Sequence, residues 1–328
     1  MGWKGAVRSI GAAVRAAERD AKKRQRELQR LNKQYEKMQE LEQAAYEVEL
    51  YENSIEIIQS VHKECGERIN WKEISASPEP DKPENTKKHE SAAIFAANSY
   101  KPGLIDRILK RENKIRQKLK NDTVTAIEKD TLEYNTRLSD WEKQVVDWKE
   151  SVDLAKLLLD GDGEAKLQTI KELDPFSEIS TLGSNLSFSI DDKGTVEATI
   201  HIHGDDIVPK EIKSLLKSGK LSVKKMPTIQ FNEFYQDYVC SCVLRVANEL
   251  FSILPDDAVV VTAIDELLNT TTGHLDRAPI LSAYISRNTL MSLKMDSIDP
   301  SDSMGNFIHN MSFKKTKGFE SVTRVEHP

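Results

Sequence analysis

Four side chains between residues 201 and 206 have types and a spacing that could bind a metal ion. His201 and His203 are two residues apart, so on a β-strand both imidazoles point to the same face, and Asp205 and Asp206 follow directly. Such a site would support a metal-dependent hydrolase. The sequence supplies no further ligands at a recognisable spacing, and histidines facing solvent at a strand end are the alternative interpretation. We therefore predict no bound metal, and these four residues are the candidates if one is bound.

A second pattern imitates the acidic residues and lysine of metal-dependent nucleases. Glu211 and Lys213 follow Asp205 and Asp206, and in that chemistry two carboxylates hold Mg²⁺ while the lysine positions the attacking water. The nuclease motif needs a strand, whereas a helix is predicted here from Pro209 to Lys217. The pattern therefore favours no nuclease.

The cysteines indicate core packing and a reducing compartment. Cys65, Cys240 and Cys242 are an odd number without paired spacing, which argues against a disulfide framework. Cys240 and Cys242 lie about 200° apart on a predicted helix, so they cannot share a metal and are expected in the core. With neither a signal peptide nor an apolar run long enough for a membrane span, we predict a cytoplasmic protein.

The familiar nucleotide-binding and hydrolase motifs are missing from the sequence. It has no GxxxxGK[ST], GxGxxG, GxSxG or HExxH. We therefore predict no cofactor and no catalytic residue, and we leave enzymatic activity as an open question with a non-enzymatic role favoured.

Positive charge is concentrated at the N-terminus. Residues 1–38 hold eleven Lys and Arg against four acids, about +7, in a chain of net charge −6. The apolar residues Trp3, Val7, Ile10 and Val14 run beside this charge, a layout that could lie on an anionic membrane surface or contact nucleic-acid phosphates. The alternative is a solvated helix whose charges pair with later acidic segments. The predicted polyanion or partner surface comprises Lys4, Arg8, Arg15, Arg19, Lys22, Lys23, Arg26 and Arg30.

Two heptad patterns predict long helices in the N-terminal half of the chain. Apolar residues step by three and four from Trp3 to Met38, continue after a register shift to His62, and recur from Val124 to Leu159 through Trp141 and Trp148. The proline-rich residues 75–90 predict an exposed connection. Two heptad arms joined in this way most simply fold as an antiparallel coiled coil, and a parallel homodimer is the rival. The fraction of charged residues, 30%, fits thin solvated helices.

The C-terminal half predicts a compact α+β domain. Strands are expected on both sides of the Asp191–Gly194 turn, at 220–226, 258–264 and 280–285, with a long helix at 232–254. A helix-rich tail is expected from Asn288, in which residues 299–302 cap a helix that runs through His309. We divide the chain into five parts. They are the basic helix and first arm (1–66), a linker with a short helix (67–103), the second arm (104–160), a connecting helix and loop (161–184) and the α+β domain (185–328).

Residues 228–320 carry a resemblance to known bacterial proteins. The runs FNEFYQDYVCSCVLRVANELFSILPDDAVVVTAI, ILSAYISRNTLMSL and IDPSDSMGNFIHNMSFKKTKGF resemble a bacterial family of uncharacterised proteins with a helical N-terminal arm. They are also similar to the accessory module of Mrr-like restriction-system proteins, in which a helix, a buried strand, a second strand and an Asp-Pro turn follow in that order. The nuclease motif of those proteins is not matched, so the resemblance implies a DNA-related or phage-defence context and no catalytic residue.

These observations favour a protein that works by binding. The first hypothesis is an interaction or scaffold protein whose coiled-coil arm docks a protein partner or self-associates. The second is a DNA-associated accessory component of a restriction or phage-defence system that contacts nucleic acid through residues 1–38. The third is the metal-dependent hydrolase centred on His201, His203, Asp205 and Asp206.

Overall fold

The computed structural model describes residues 40–103, 111–176, 185–202, 207–268 and 270–327. The described residues form two compact units. One contains residues 74–153, and the other contains residues 40–73 together with residues 154–327. The α+β class predicted from the sequence is confirmed, with one helix of 48 residues and one sheet of six strands.

Eight α-helices are described, in chain order α1 Glu40–Ser60, α2 Trp71–Ser75, α3 Lys88–Ser99, α4 Glu112–Leu159, α5 Gly163–Leu173, α6 Thr228–Ile253, α7 Arg287–Ser292 and α8 Pro300–Ser303. Eight β-strands are described, in chain order β1 Asn185–Ile190, β2 Val196–His201, β3 Glu211–Leu215, β4 Leu221–Lys225, β5 Ala258–Leu268, β6 Leu275–Ser286, β7 Ile308–Lys314 and β8 Gly318–Glu320. Short 3₁₀ turns follow α1 and α8, at Val61–Lys63 and Met304–Asn306.

The large sheet has the strand order β1-β2-β5-β6-β7-β8. Strands β2 and β5 are parallel, and the other neighbouring strands are antiparallel. The connection from β2 to β5 contains the separate β3–β4 hairpin and then α6. The predicted turn at Asp191–Gly194 is confirmed, because Asp191 Oδ1 accepts the N–H groups of Lys193 and Thr195, and Gly194 has φ +82°.

Helix α6 forms the centre of the core. Every residue from Tyr238 to Ile253 is buried, and the helix packs against β5 and β6. A helix covered on all sides must be apolar over most of its surface, and the run of Val, Leu, Cys and Ala in this segment meets that demand. Pro227 and Pro255 flank the helix, which agrees with the predicted helix at 232–254.

The helix predicted from Pro209 to Lys217 is wrong. Residues 211–215 form β3, which pairs with β4 in the register Glu211↔Lys225 through Leu215↔Leu221. Ile212, Leu215 and Leu216 have the spacing of a helix face, so the local pattern misled the prediction. The turn that follows, with Gly219 at φ +79°, brings the second strand back alongside the first, and the cross-strand pairing decides the conformation.

Two other predicted boundaries need correction. The helix expected to run from Asp299 to His309 ends at Asn306, and β7 follows because residues 308–311 pair with the edge of β6. The first helix was expected to end at Cys65-Gly66, but α1 ends at Ser60 and a 3₁₀ turn continues to Lys63. Gly66 instead approaches Glu249 closely, since a Cβ built there would lie 3.2 Å from Glu249 Oε2.

Candidate functional site

Most of the residues predicted to bind ligands lie outside the described residues. This applies to the eight basic residues of the N-terminal surface and to His203, Asp205 and Asp206. His201 is described at the end of β2, where it is partly covered and pairs in the sheet with Ile264. The expectation of no bound metal, with these four residues as the candidates if one is bound, therefore stays a prediction.

The nuclease-like pair lies on a strand after all. Glu211 and Lys213 belong to β3, which is the element that the motif requires, but Lys213 Nζ lies 2.9 Å from Glu47 Oε2 of α1. This ion pair fixes the hairpin against α1 and engages the ammonium that the nuclease chemistry would use. The structure gives Lys213 a packing role.

The two cysteines of α6 are core residues, as predicted. Cys240 and Cys242 are both 0% exposed. Burial raises the pKa of the Cys242 thiol to about 12 and raises the pKa of the Cys240 thiol well above its ordinary value. Both groups therefore stay protonated near neutral pH, and a thiol is a poor nucleophile.

Helix α4 presents a covered face that follows the predicted seam along only part of its length. From Tyr134 onward the predicted seam residues are partly or fully covered, namely Tyr134, Leu138, Trp141, Val145, Trp148, Val152, Ala155 and Leu159. Before Tyr134 the covered positions shift by one residue, to Thr123, Ala126 and Asp130. Val124 and Ile127 of the predicted seam are 55% and 42% exposed.

The proline-rich residues 77–87 lie along this covered face. The indole N–H of Trp148 donates to the Ser77 carbonyl at 3.0 Å, and the indole N–H of Trp141 donates to the Pro80 carbonyl at 2.9 Å. Lys82 Nζ lies 5.5 Å from the centroid of the Trp141 ring. The segment predicted to be an exposed connection is thus held antiparallel to α4 by two indole donors.

The covered face of α4 also contacts α3. Asp130 of α4 accepts the backbone N–H of His89 at 3.1 Å and that of Glu90 at 2.7 Å, so its carboxylate caps the first turn of α3. At the other end, the Arg116 guanidinium lies 5.9 Å from the Tyr100 ring centroid. These contacts place α3 antiparallel to α4. They also explain the shifted face, because Asp130 must point toward α3 to form the cap.

His89, Asp130 and Glu133 are near enough to share a metal ion, with ligand atoms within 4.8 Å of one another. His89 Nε2 lies 3.3 Å from Glu133 Oε1. Both oxygens of Asp130 already accept backbone N–H groups, and the imidazole and Glu133 can pair with each other. Helix capping and an ion pair account for the cluster without a metal.

Apolar side chains of α3 and α4 lie at about the same level of this helix pair. Asp130 caps α3 near His89, so these two residues mark one level of the helix pair. Phe95 lies six residues after His89, about 9 Å along α3. Val124 lies six residues before Asp130, the same distance along α4 in the same direction. Phe95 is 74% exposed, and Ile94 is 39% exposed. We call Ile94, Phe95, Val124 and Ile127 the apolar patch. Among the described residues of this unit, 74–103 and 111–153, Val152 is the one apolar residue that is buried.

A row of polar side chains on α6 holds the segment that follows α1. Ser241 bonds to His62 Nδ1 at 3.1 Å, and Glu249 accepts the N–H of Gly66 at 3.2 Å. Arg245 Nη2 lies 2.8 Å from Glu249 Oε1, and both side chains are almost fully buried. The sequence carries a signal for this row, since these polar residues recur every four residues on an apolar helix.

None of the described helices combines the length and the apolar content that crossing a bilayer requires. No family model, curated protein or solved structure matches the chain.

Proposed function

We propose that this protein is a non-enzymatic interaction or scaffold protein that self-associates through its helical arm, with the apolar patch at the centre of the contact. The observation that carries the proposal is the exposure of Phe95 and Val124 in a unit whose described residues include one buried apolar side chain, Val152. A pair of helices gains little stability from hydrophobic burial until something covers its apolar side.

A second copy of the chain is the occupant that fits this surface best. Two antiparallel helix pairs placed face to face form a four-helix bundle, in which each pair covers the apolar residues of the other. A twofold contact needs only one surface, since the same patch serves both copies. A different protein partner is the alternative outcome.

The test compares the mass of the full-length protein in solution with that of two variants. Light scattering at tens of micromolar should give a dimer for the native protein, and the double variant Phe95→Asp, Val124→Asp should give a monomer, because a charge in the contact costs several kcal/mol. Val146→Asp is the matched control, since Val146 lies on the same helix, is 54% exposed and is outside the patch. A monomeric native protein would overturn the proposal.

The arrangement of the two heptad arms, residues 1–66 and 104–160, stays a prediction. We propose the antiparallel coiled coil within one chain, with the parallel homodimer as its rival. Residues 77–87 cover Trp141 and Trp148, so the first arm would contact other positions of the second arm. Lysine crosslinking of mixed isotopically labelled and unlabelled protein separates them. Crosslinks between the arms within one chain support the antiparallel pair, and crosslinks only between matching positions of two chains contradict it.

A DNA-associated role in a bacterial restriction or defence system, in the cytoplasm, is the second candidate function. The charge of about +7 on residues 1–38 supports it, together with the resemblance carried by residues 228–320. A gel shift with duplex DNA at low salt tests it. The complex should weaken steeply as salt increases, and the absence of any shift would dispose of this candidate.

A further inference from the structure

The β3–β4 hairpin concentrates positive charge. Residues 210–225 contain six lysines, no arginine and one acid, Glu211, a net charge of +5. Lys213 is paired with Glu47, whereas Lys217, Lys224 and Lys225 are exposed to solvent. The hairpin was not recognised from the sequence, because its first strand was predicted to be a helix.

Exposed apolar side chains lie among these lysines. Leu215 and Leu216, at the end of β3, are 46% and 51% exposed, and Val223 of β4 is 45% exposed. Leu41 of α1 is 54% exposed and lies beside the hairpin turn, where its Cδ2 would be 3.3 Å from a Cβ built on Gly219. About half of each of these side chains stays exposed to solvent, although the hairpin packs beside α1.

We infer that the β3–β4 hairpin is a membrane-contact element that binds the surface of an anionic lipid bilayer. Lysines are attracted to anionic headgroups, and their aliphatic stems can lie along the interface while the ammonium groups stay hydrated. The leucines at the tip would enter the boundary between headgroups and acyl chains, where half-exposed apolar groups gain from leaving water.

The same features fit nucleic acid less well. Phosphate binding would use the lysines but would leave Leu215, Leu216 and Val223 exposed to water. The hairpin also has neither an aromatic side chain to stack on a base nor an arginine to form bidentate contacts with phosphate or guanine. The combination of leucine and lysine at one tip therefore favours a lipid surface.

The test measures binding of the full-length protein to vesicles by flotation. Vesicles of phosphatidylcholine with about one-third phosphatidylserine should bind the native protein, and pure phosphatidylcholine vesicles should not, since the lysines need an anionic surface. Raising the salt from about 0.1 M to about 0.5 M should weaken binding, because the Debye length shortens.

Two sets of variants assign the binding to the hairpin. Lys217→Glu with Lys224→Glu, and separately Leu215→Ser with Leu216→Ser, should each lower vesicle affinity about tenfold or more. Lys171→Glu with Lys294→Glu makes the same charge change at exposed sites of the same unit and should leave affinity within about twofold. An unchanged circular dichroism melt shows that each variant is folded.

Two results would overturn the inference. If the hairpin variants bind vesicles as well as the native protein does, the binding belongs to another segment, such as residues 1–38. If the native protein binds duplex DNA but no vesicle, and the lysine variants lose the DNA, the hairpin is a nucleic-acid surface. Neither result bears on self-association through the apolar patch, so the two proposals succeed or fail separately.

Discussion

The indole N–H of Trp141 donates a hydrogen bond to the main-chain carbonyl of Pro80, 61 residues earlier in the chain, at 2.9 Å. Seven residues further along α4, Trp148 makes the equivalent bond to Ser77 at 3.0 Å. Proline-rich segments expose carbonyl groups that cannot all be satisfied within the segment, and an aromatic N–H is a suitable partner for them. Two tryptophans one heptad apart therefore hold the connecting segment on the helix.

Replacing both tryptophans should release this segment. In the double variant Trp141→Phe, Trp148→Phe an aromatic ring remains at each position but both N–H donors are lost, at a cost of about 1 kcal/mol each. Residues 77–87 should then be cut faster in limited proteolysis. Trp71→Phe is the control, because the indole N–H of Trp71 donates to the Ile253 carbonyl at 2.8 Å, outside residues 77–87. Equal cleavage of all three proteins would show that the indole bonds do not restrain residues 77–87.

The Asp130 cap should control the first turn of α3. Asp130→Ala removes the acceptor for two N–H groups, so amide exchange at His89 and Glu90 should become faster, while Asp140→Ala on the same helix should not change it. Burial alone would raise the pKa of Asp130, but the bonds from Glu90 and His89 outweigh it and leave the pKa below its ordinary value. The cap should thus be intact above about pH 4 and be lost as the pH falls through the lowered value.

The stability of the protein should fall strongly when one partner of the buried ion pair between Lys166 and Asp256 is removed. Their side chains are 6% and 8% exposed, and Nζ lies 2.6 Å from Oδ1. Lys166→Met leaves a buried carboxylate without its cation, so the free energy of unfolding should fall by about 3–5 kcal/mol in urea denaturation. Adding Asp256→Leu should recover much of the loss. A double variant no more stable than Lys166→Met would contradict this account.

The stability of the protein should depend on pH through Asp237. Burial raises the pKa of this carboxyl to about 6, and the neighbouring charges of Asp299, Asp302 and Glu233 act in the same direction, against the hydrogen bond from Ser301. The folded state therefore binds the proton more tightly than the unfolded chain, whose carboxyl has a pKa near 4. The contribution of Asp237 to stability should therefore be greatest below about pH 4 and should decrease as the pH rises to about 6.

Asp237→Asn removes this titration. The urea midpoint of the variant should change less between pH 4 and pH 6 than the midpoint of the native protein, and above pH 6 the variant should be the more stable of the two. Identical pH profiles for the two proteins would show that Asp237 does not carry the dependence.

The sequence by itself determined the elements whose signals are local. The Asp191–Gly194 turn, the long apolar helix α6, the buried strand β5 and the cap at Asp299 were all predicted. In each case the residues that decide the structure are neighbours in the chain: Asp299 accepts the N–H of Asp302 at 3.0 Å. The α+β class followed from these elements, and so did the packing of Trp141 and Trp148 on the covered side of a long helix.

Only the tertiary structure decided which surfaces meet. Residues 211–215 are a strand because β4 pairs with them, although their own spacing fits a helix. Tryptophans on a heptad seam predict a helical partner, yet main-chain carbonyls of a proline-rich segment occupy that position. Asp130 turns the covered face of α4 by one residue because it caps a helix 40 residues away. Such contacts join residues far apart in the chain, and the periodicity of a sequence reports only that a face is covered, not what covers it.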